Sequence, residues 1–252
     1  MKKIAFITGA SSGIGRACAH KFAQGGYNLL LNARSTDKLL SLQQELEQQY
    51  GAEVLLLPFD VRDRQAAQQA IASLPAPFQA IDVLVNNAGL ALGIDKEYEG
   101  SEDNYDTMID TNITALLMMT RLVVPGMVER QRGHIINIGS VAGDAAYPGG
   151  SVYCATKAAV KVLSDGLRMD LVHTPLRVTN VKPGLVETNF SVTRFAGDKE
   201  RADKVYQGIK PLIGDDIADV VYYAASAPAH VQIAEVLVLA THQASGSIVH
   251  RE

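Results

Sequence analysis

Ile4-Ala5-Phe6-Ile7-Thr8-Gly9-Ala10-Ser11-Ser12-Gly13-Ile14-Gly15 compresses a strand, a glycine turn and a helix start into one stretch. The apolar run ends at Thr8-Gly9. Gly13-Ile14-Gly15 then leads into Arg16-Ala17-Cys18-Ala19-His20-Lys21-Phe22-Ala23, whose apolar positions recur at helical spacing. Such a turn suits a dinucleotide pyrophosphate. Its glycines let the backbone approach the phosphates, and the helix N-terminus offers free N–H groups and a positive dipole end. The spacing is GxxxGxG rather than the GxGxxG of the long fingerprint. Gly9, Ser11, Ser12, Gly13, Ile14 and Gly15 are therefore candidate cofactor-binding residues. A tight connection without a ligand is the alternative, and the position at the first strand–helix junction favours the binding reading.

Outward from that junction the pattern repeats. Strand-like runs at Ile4–Thr8, Asn28–Asn32, Glu53–Pro58, Asp82–Asn86, Gly133–Ser140, Arg177–Lys182 and Glu235–Leu239 alternate with amphipathic segments. This predicts an α/β fold with a doubly wound parallel seven-stranded sheet, the Rossmann arrangement, covered by helices on both faces. No internal repeat or linker interrupts it, so residues 1–252 are read as a single domain with a polar C-terminal tail, 241–252. Ligands in such sheets bind beyond the carboxyl ends of the strands. The chemically notable residues gather there: the glycine turn after the first strand, Arg34 after the second, Asp60 after the third, Asn87 to Gly89 after the fourth, Ser140 after the fifth and Pro183-Gly184 after the sixth.

Bulk properties narrow the function classes. A formal net charge of −4, without a basic block, argues against nucleic acid or a membrane surface as partner. Two cysteines, Cys18 and Cys154, make no disulfide framework, and both are expected in the core. The six histidines form no cluster with metal-ligand spacing, so no metal is expected. The apolar N-terminal run is too short for a signal-peptide core. Ile113 to Met127 is expected to be broken by Arg121 and Pro125 and so not to span a bilayer. A soluble, cytoplasmic setting follows as an expectation.

Tyr153 and Lys157 lie one helical turn apart, so a phenol and an ammonium share a face. A free tyrosine titrates at about pH 10. A neighbouring cation is expected to lower that value toward the range useful for acid–base catalysis. Ser140 is positioned to donate to an oxygen on which charge develops. Arg34 and Ser35, after the second strand, stand where an NAD-preferring fold carries an acid for the ribose hydroxyl. A planar cation there suits a 2′-phosphate and points to NADP. Asp37 reads as first-turn helix chemistry.

Thr8-Gly9-xxx-Gly13-x-Gly15, Asp60-Val61, Asn86-Asn87-Ala88-Gly89, Asn112, Ser140, Tyr153-xxx-Lys157 and Pro183-Gly184, taken in this order, resemble the short-chain dehydrogenase/reductase family over essentially the whole chain. Within it, Met108-Ile109-Asp110-Thr111-Asn112, Gly133 to Ser140, Arg194-Phe195-Ala196-Gly197-Asp198 and Thr241 to Ser245 are similar to the NADP-dependent 3-hydroxy acid dehydrogenases. That group includes serine and allo-threonine dehydrogenases and malonic semialdehyde reductases. The resemblance implies Tyr153 as general acid/base and Lys157 as its electrostatic partner and ribose contact. Ser140 would be the donor to the substrate oxygen, and Asn112 would hold a water leading to Lys157. It also implies Asp60 and Val61 near the adenine; Asn87, Ala88 and Gly89 along the cofactor; and Pro183, Gly184, Val186 and Thr188 on the nicotinamide side.

The substrate pocket is expected from Leu90 to Glu102, Val141 to Gly150 and Leu185 to Lys210, with Arg194 as candidate for a substrate carboxylate and Lys96 and Lys210 behind it. The resemblance further implies a homotetramer through the helices containing Ile113 to Met119 and Tyr153 to Leu163, with a tail that reaches a neighbour. Two other readings compete with a 3-hydroxy acid dehydrogenase: a broad-specificity NADP-dependent aldehyde/ketone reductase, and a non-catalytic NADP-binding regulator.

Overall fold

The computed structural model describes residues 2–252. Seven strands form one parallel sheet: β1 Ile4–Ile7, β2 Asn28–Ala33, β3 Val54–Pro58, β4 Ile81–Asn86, β5 His134–Ile138, β6 Arg177–Pro183 and β7 Glu235–Val238. Their spatial order is β3-β2-β1-β4-β5-β6-β7. All seven expected strands are present, with ends shifted by one or two residues. The helices are α1 Gly13–Gln24, α2 Thr36–Tyr50, α3 Arg64–Ala72, α4 Glu102–Ile109, α5 Ala115–Glu129, α6 Ser151–Asp170, α7 Phe190–Arg194, α8 Lys199–Lys204 and α9 Gly214–Ser226.

The inner strands are buried on both sides because both sides are covered. In β1, Ala5 and Ile7 enter one core with Cys18 and Phe22 of α1, Leu39 and Leu42 of α2 and Val221 of α9. Ile4 and Phe6 enter the opposite core with Ala67 of α3 and Met119, Val123 and Met127 of α5. This period-two split gives a buried parallel strand its continuous apolar run. The chain leaves β1 toward β2 and β3, then returns to add β4 on the other side of β1. Strand order reverses there, and the crevice beyond the strand ends opens at that point.

Pro125 lies inside α5, which continues through it to Glu129. Arg121, whose carbonyl loses its helical partner to the proline, and Pro125 are both exposed. By length and composition alone the helical run Glu102–Glu129 could cross a bilayer. Met108, Ala115, Met119, Val123, Val124 and Met127 of that run are instead buried in the core.

Candidate active site

Thr8 and Asn87 join β1 to β4 at the reversal point. The buried Thr8 Oγ1 accepts from the backbone N–H groups of Asn87 (3.1 Å) and Ala88 (3.0 Å). The Asn87 amide donates to the carbonyls of Thr8 (2.9 Å) and Gly9 (3.2 Å). Gly9 adopts φ +65° and Gly13 φ +53°, backbone that an L side chain enters only with strain. No side chain caps α1 and its first turn carries no acid. Its leading N–H groups therefore have no side-chain acceptor, and Ser12, Gly13 and Ile14 line a cavity of about 580 Å³. This cradle fits a dinucleotide pyrophosphate.

The cavity runs along the carboxyl edge of the sheet. It brings together Gly9, Ser11, Ser12, Gly13, Ile14, Arg34, Asp60, Val61, Asn87, Ala88, Gly89, Ser140, Tyr153, Lys157, Pro183, Gly184, Val186, Thr188 and Arg194. Gly15, Ser35 and Asn112 do not line it. Gly15 acts behind the turn: a Cβ there would stand 2.3 Å from the Gly9 carbonyl oxygen and 2.5 Å from the Asn87 amide nitrogen. Ser35 occupies the N-cap of α2 without a side-chain capping bond. Arg34 is exposed at the cavity's far end and makes no ion pair among the described residues.

At the other end stand Ser140, Tyr153 and Lys157, all buried. The Lys157 ammonium donates to the Ile138 carbonyl at 2.8 Å and lies 6.0 Å from the centroid of the Tyr153 ring. Burial pushes its pKa down to about 8. Burial also drives the Tyr153 phenol well above its ordinary range, and a hydrogen bond with Ser140 partly opposes that shift. The expected lowering of the Tyr153 pKa by Lys157 is therefore not what the geometry shows. The ammonium is committed to a backbone carbonyl, Ser140 and then the charge of Arg194 favour the phenolate, and desolvation outweighs them. Ser140 Oγ also accepts from the Ala142 N–H at 3.1 Å.

Asn112 sits in a π-helical turn, Asp110–Thr114, between α4 and α5. Its Oδ1 accepts from the Leu90 N–H (2.9 Å), and its Nδ2 donates to the Leu90 carbonyl (2.8 Å) and to Thr156 Oγ1 (3.0 Å). Thr156 Oγ1 in turn donates to the Tyr153 carbonyl (2.7 Å). Asn112 thus ties the Leu90 loop to the turn of α6 that carries Tyr153. Its bonds are tertiary ones, not the local backbone bond that its place in a helical stretch allows.

All three expected pocket loops contribute walls. The segment containing α7 and α8 covers the cavity. Arg194 is half-buried: its Nε donates to the Gly93 carbonyl (3.0 Å), and its Nη1 donates to the Tyr147 hydroxyl (2.9 Å). Phe190 packs on Tyr153 with ring centroids 5.6 Å apart. Tyr206 donates to the Val186 carbonyl (3.0 Å) and pairs with Ser191 (2.7 Å). Lys96 and Lys210 are exposed and outside the cavity.

Sequence reasoning missed Arg62 and Gln243, which also line it, and did not single out Tyr147 and Phe190 within the expected loops. Gln243 is buried, and its Oε1 accepts from the Leu185 N–H at 2.8 Å. The tail folds back on its own chain, with Arg251 donating to the carbonyls of Val205 (3.1 Å) and Gln207. Cys154 is buried and its thiol is pushed up by desolvation, while Cys18 is raised to about 12 by the same cause. Neither thiol is activated.

Residues 3–199 match the profile of the short chain dehydrogenase family. The chain is 48% identical over 250 residues to the NADP-dependent 3-hydroxy acid dehydrogenase YdfG of Salmonella typhi, covering 98% of this chain and 99% of that one. It is 45% identical over 251 residues to the NADP-dependent 3-hydroxy acid dehydrogenase of Schizosaccharomyces pombe, covering 99% and 97%. A closed form of serine dehydrogenase complexed with NADP+ superposes with a TM-score of 0.92 at 44% identity, covering 99% and 100%.

Proposed function

The chain belongs to the short-chain dehydrogenase family, it is an NADP-dependent oxidoreductase, and we propose that it interconverts a 3-hydroxy acid and the corresponding semialdehyde or keto acid. The observation that carries the substrate class is Arg194. Its guanidinium is held in the cavity by Gly93 and Tyr147, while its Nη2 has no protein partner among the described residues. A fixed, half-buried cation with a spare donor suits a substrate carboxylate.

Bound NADP supplies or accepts the hydride at its nicotinamide carbon. Tyr153 gives its phenolic proton to the substrate oxygen in reduction and takes it back in oxidation. Burial keeps the phenol protonated at neutral pH, the form that reduction needs. Ser140 Oγ donates to the same oxygen and holds it in reach of the phenol. Lys157 keeps a cation against the Ile138 carbonyl, and it sheds that charge above about pH 8. Asn112 positions the Tyr153 turn and the Leu90 loop. Arg34 takes the 2′-phosphate, and Gly9 to Gly15 take the pyrophosphate.

The test is a panel of serine, allo-threonine, 3-hydroxypropionate, 3-hydroxyisobutyrate and uncharged alcohols, assayed with NADP and with NAD. Turnover of the acids with NADP, well above that of the uncharged compounds, is expected. Equal turnover of both classes would indicate a general carbonyl reductase.

A homotetramer belongs to the same proposal. Leu117 on α5 and Val162 and Met169 on α6 are 45%, 67% and 73% exposed, so these helices carry apolar surface that their own subunit leaves uncovered. Light scattering at micromolar concentration is expected to give four subunits, and a monomer would refute it. A reducing, cytoplasmic setting is proposed with it, supported by two free, buried thiols.

A further inference from the structure

Arg34, Asp60 and Arg62 meet at the far end of the cavity, beyond the carboxyl ends of the adjacent strands β2 and β3. We propose that Arg62 is a specificity-determining residue that acts through Asp60: it occupies that carboxylate so that the Arg34 charge stays free for a 2′-phosphate. The inference rests on the reading of Arg34 given under Proposed function.

The Asp60 carboxylate is saturated by one residue. Its Oδ1 accepts from the Arg62 backbone N–H (2.9 Å) and from Nε (3.1 Å), and its Oδ2 accepts from Nε (3.2 Å) and Nη2 (2.7 Å). The Asp60 carboxyl is accordingly held below its usual range, first by the Arg62 hydrogen bonds, with the charge of Arg34 adding a smaller effect. Arg34 and Asp60 are therefore close enough to influence each other, yet form no ion pair.

Removing the Arg62 guanidinium frees the carboxylate. The exposed Arg34 side chain can then turn onto it, which uses up the planar fork that would bind phosphate. In any position that Arg34 takes, an uncompensated negative charge at this end of the cavity repels a dianionic 2′-phosphate. NAD has a hydroxyl there and feels neither effect. The loss is thus selective for the phosphorylated cofactor, which distinguishes it from a general distortion of the adenine end.

The test is binding, not turnover. Dissociation constants for NADPH and NADH are measured by cofactor fluorescence for the wild type, Arg34→Met, Arg62→Met, Arg62→Lys and the double variant Arg62→Met/Asp60→Asn. Arg62→Met is expected to weaken NADPH on the order of tenfold and NADH by about twofold or less. Arg62→Lys, with one donor group for two oxygens, should fall between. The double variant should recover most of the NADPH-over-NADH preference, because no free carboxylate remains and any loss of an Asp60 contact to the adenine falls on both cofactors alike.

If Arg34→Met loses the NADPH preference while Arg62→Met keeps it, this inference is overturned and the reading of Arg34 stands. If the double variant keeps the reduced NADPH-over-NADH preference of Arg62→Met, Arg62 contacts the phosphate itself and the relay through Asp60 is wrong. If Arg34→Met keeps the preference, the underlying reading of Arg34 fails and the inference goes with it.

Discussion

Gly15→Ala probes the junction between turn, helix and fourth strand most sharply. Gly15 does not face the cavity, so its role is in packing. A methyl at this position would stand 2.3 Å from the Gly9 carbonyl oxygen, 2.9 Å from the Gly9 carbonyl carbon and 2.5 Å from the Asn87 amide nitrogen. None of these atoms is the free end of a flexible side chain. The Gly9 oxygen is main chain, and the Asn87 amide is bonded to both the Thr8 and Gly9 carbonyls.

Relief must come from opening the turn or breaking Asn87 away. Overpacking of this kind costs about 1–3 kcal/mol, and each lost hydrogen bond adds about 0.5–1.5 kcal/mol. Alanine's helix preference over glycine returns about 1 kcal/mol. The net loss is about 1–3 kcal/mol, or roughly 3–10 °C in Tm for a chain of this length. The same displacement moves the Gly9 backbone that lines the cavity, so NADPH affinity should fall on the order of tenfold or more. Differential scanning calorimetry and a fluorescence titration measure the two effects. A variant that melts within about 1 °C of wild type and binds NADPH normally would refute the claim that this contact leaves no room.

Three further outcomes follow from the site and the core. Arg34→Asp should invert the NADP/NAD ratio of kcat/KM, because it removes a charge-assisted phosphate contact and adds repulsion; an unchanged ratio would dismiss Arg34 as the phosphate residue. Arg194→Met should reduce activity on 3-hydroxy acids on the order of ten- to a hundredfold, the scale of a lost charged hydrogen bond, and reduce activity on an uncharged aldehyde far less. Equal loss on both would mean that Arg194 serves only to hold Gly93 and Tyr147.

The third outcome concerns His134, buried on β5, whose pKa burial lowers to about 3. Thr179 Oγ1 donates to the Ile233 carbonyl (2.6 Å) and so accepts from His134 Nε2 (2.7 Å), leaving Nδ1 unprotonated and without a partner. The unfolded chain takes up this proton below about pH 6.5 and the folded chain does not. Stability is therefore full above that pH and falls by up to about 1.4 kcal/mol per unit toward pH 3. Urea unfolding between pH 4 and 7 should show a shallower acid slope in His134→Gln, and identical slopes would exclude His134 as the cause.

The sheet was legible because its inner strands are buried on two sides, as Ile4 to Ile7 is with alternate residues in opposite cores, while the edge strand β7 alternates exposed and half-buried residues. The candidate cofactor residues could be named from the sequence because each follows the carboxyl end of a strand, and in a parallel sheet those ends share one edge. The relation between Tyr153 and Lys157 was only half legible. Helical spacing gives their shared face, but the Ile138 carbonyl that takes the ammonium lies on another strand. Arg62 gave no sequence signal, because the cavity wall that it shares with Asp60 and Arg34 is formed by tertiary packing. Gln243 lies in the Thr241 to Ser245 stretch noted for its resemblance, but nothing local pointed it to the cavity, since its contact with Leu185 spans 58 residues.

The central claim is that Tyr153 supplies the proton to a substrate bound beside NADP. The measurement is Tyr153→Phe, with NADPH affinity by fluorescence titration and reduction of malonic semialdehyde by NADPH absorbance, on the same preparation. The account predicts NADPH affinity within a few-fold of wild type and kcat lower by at least about a hundredfold, the scale of general acid catalysis. Near-normal kcat with intact cofactor binding would contradict it.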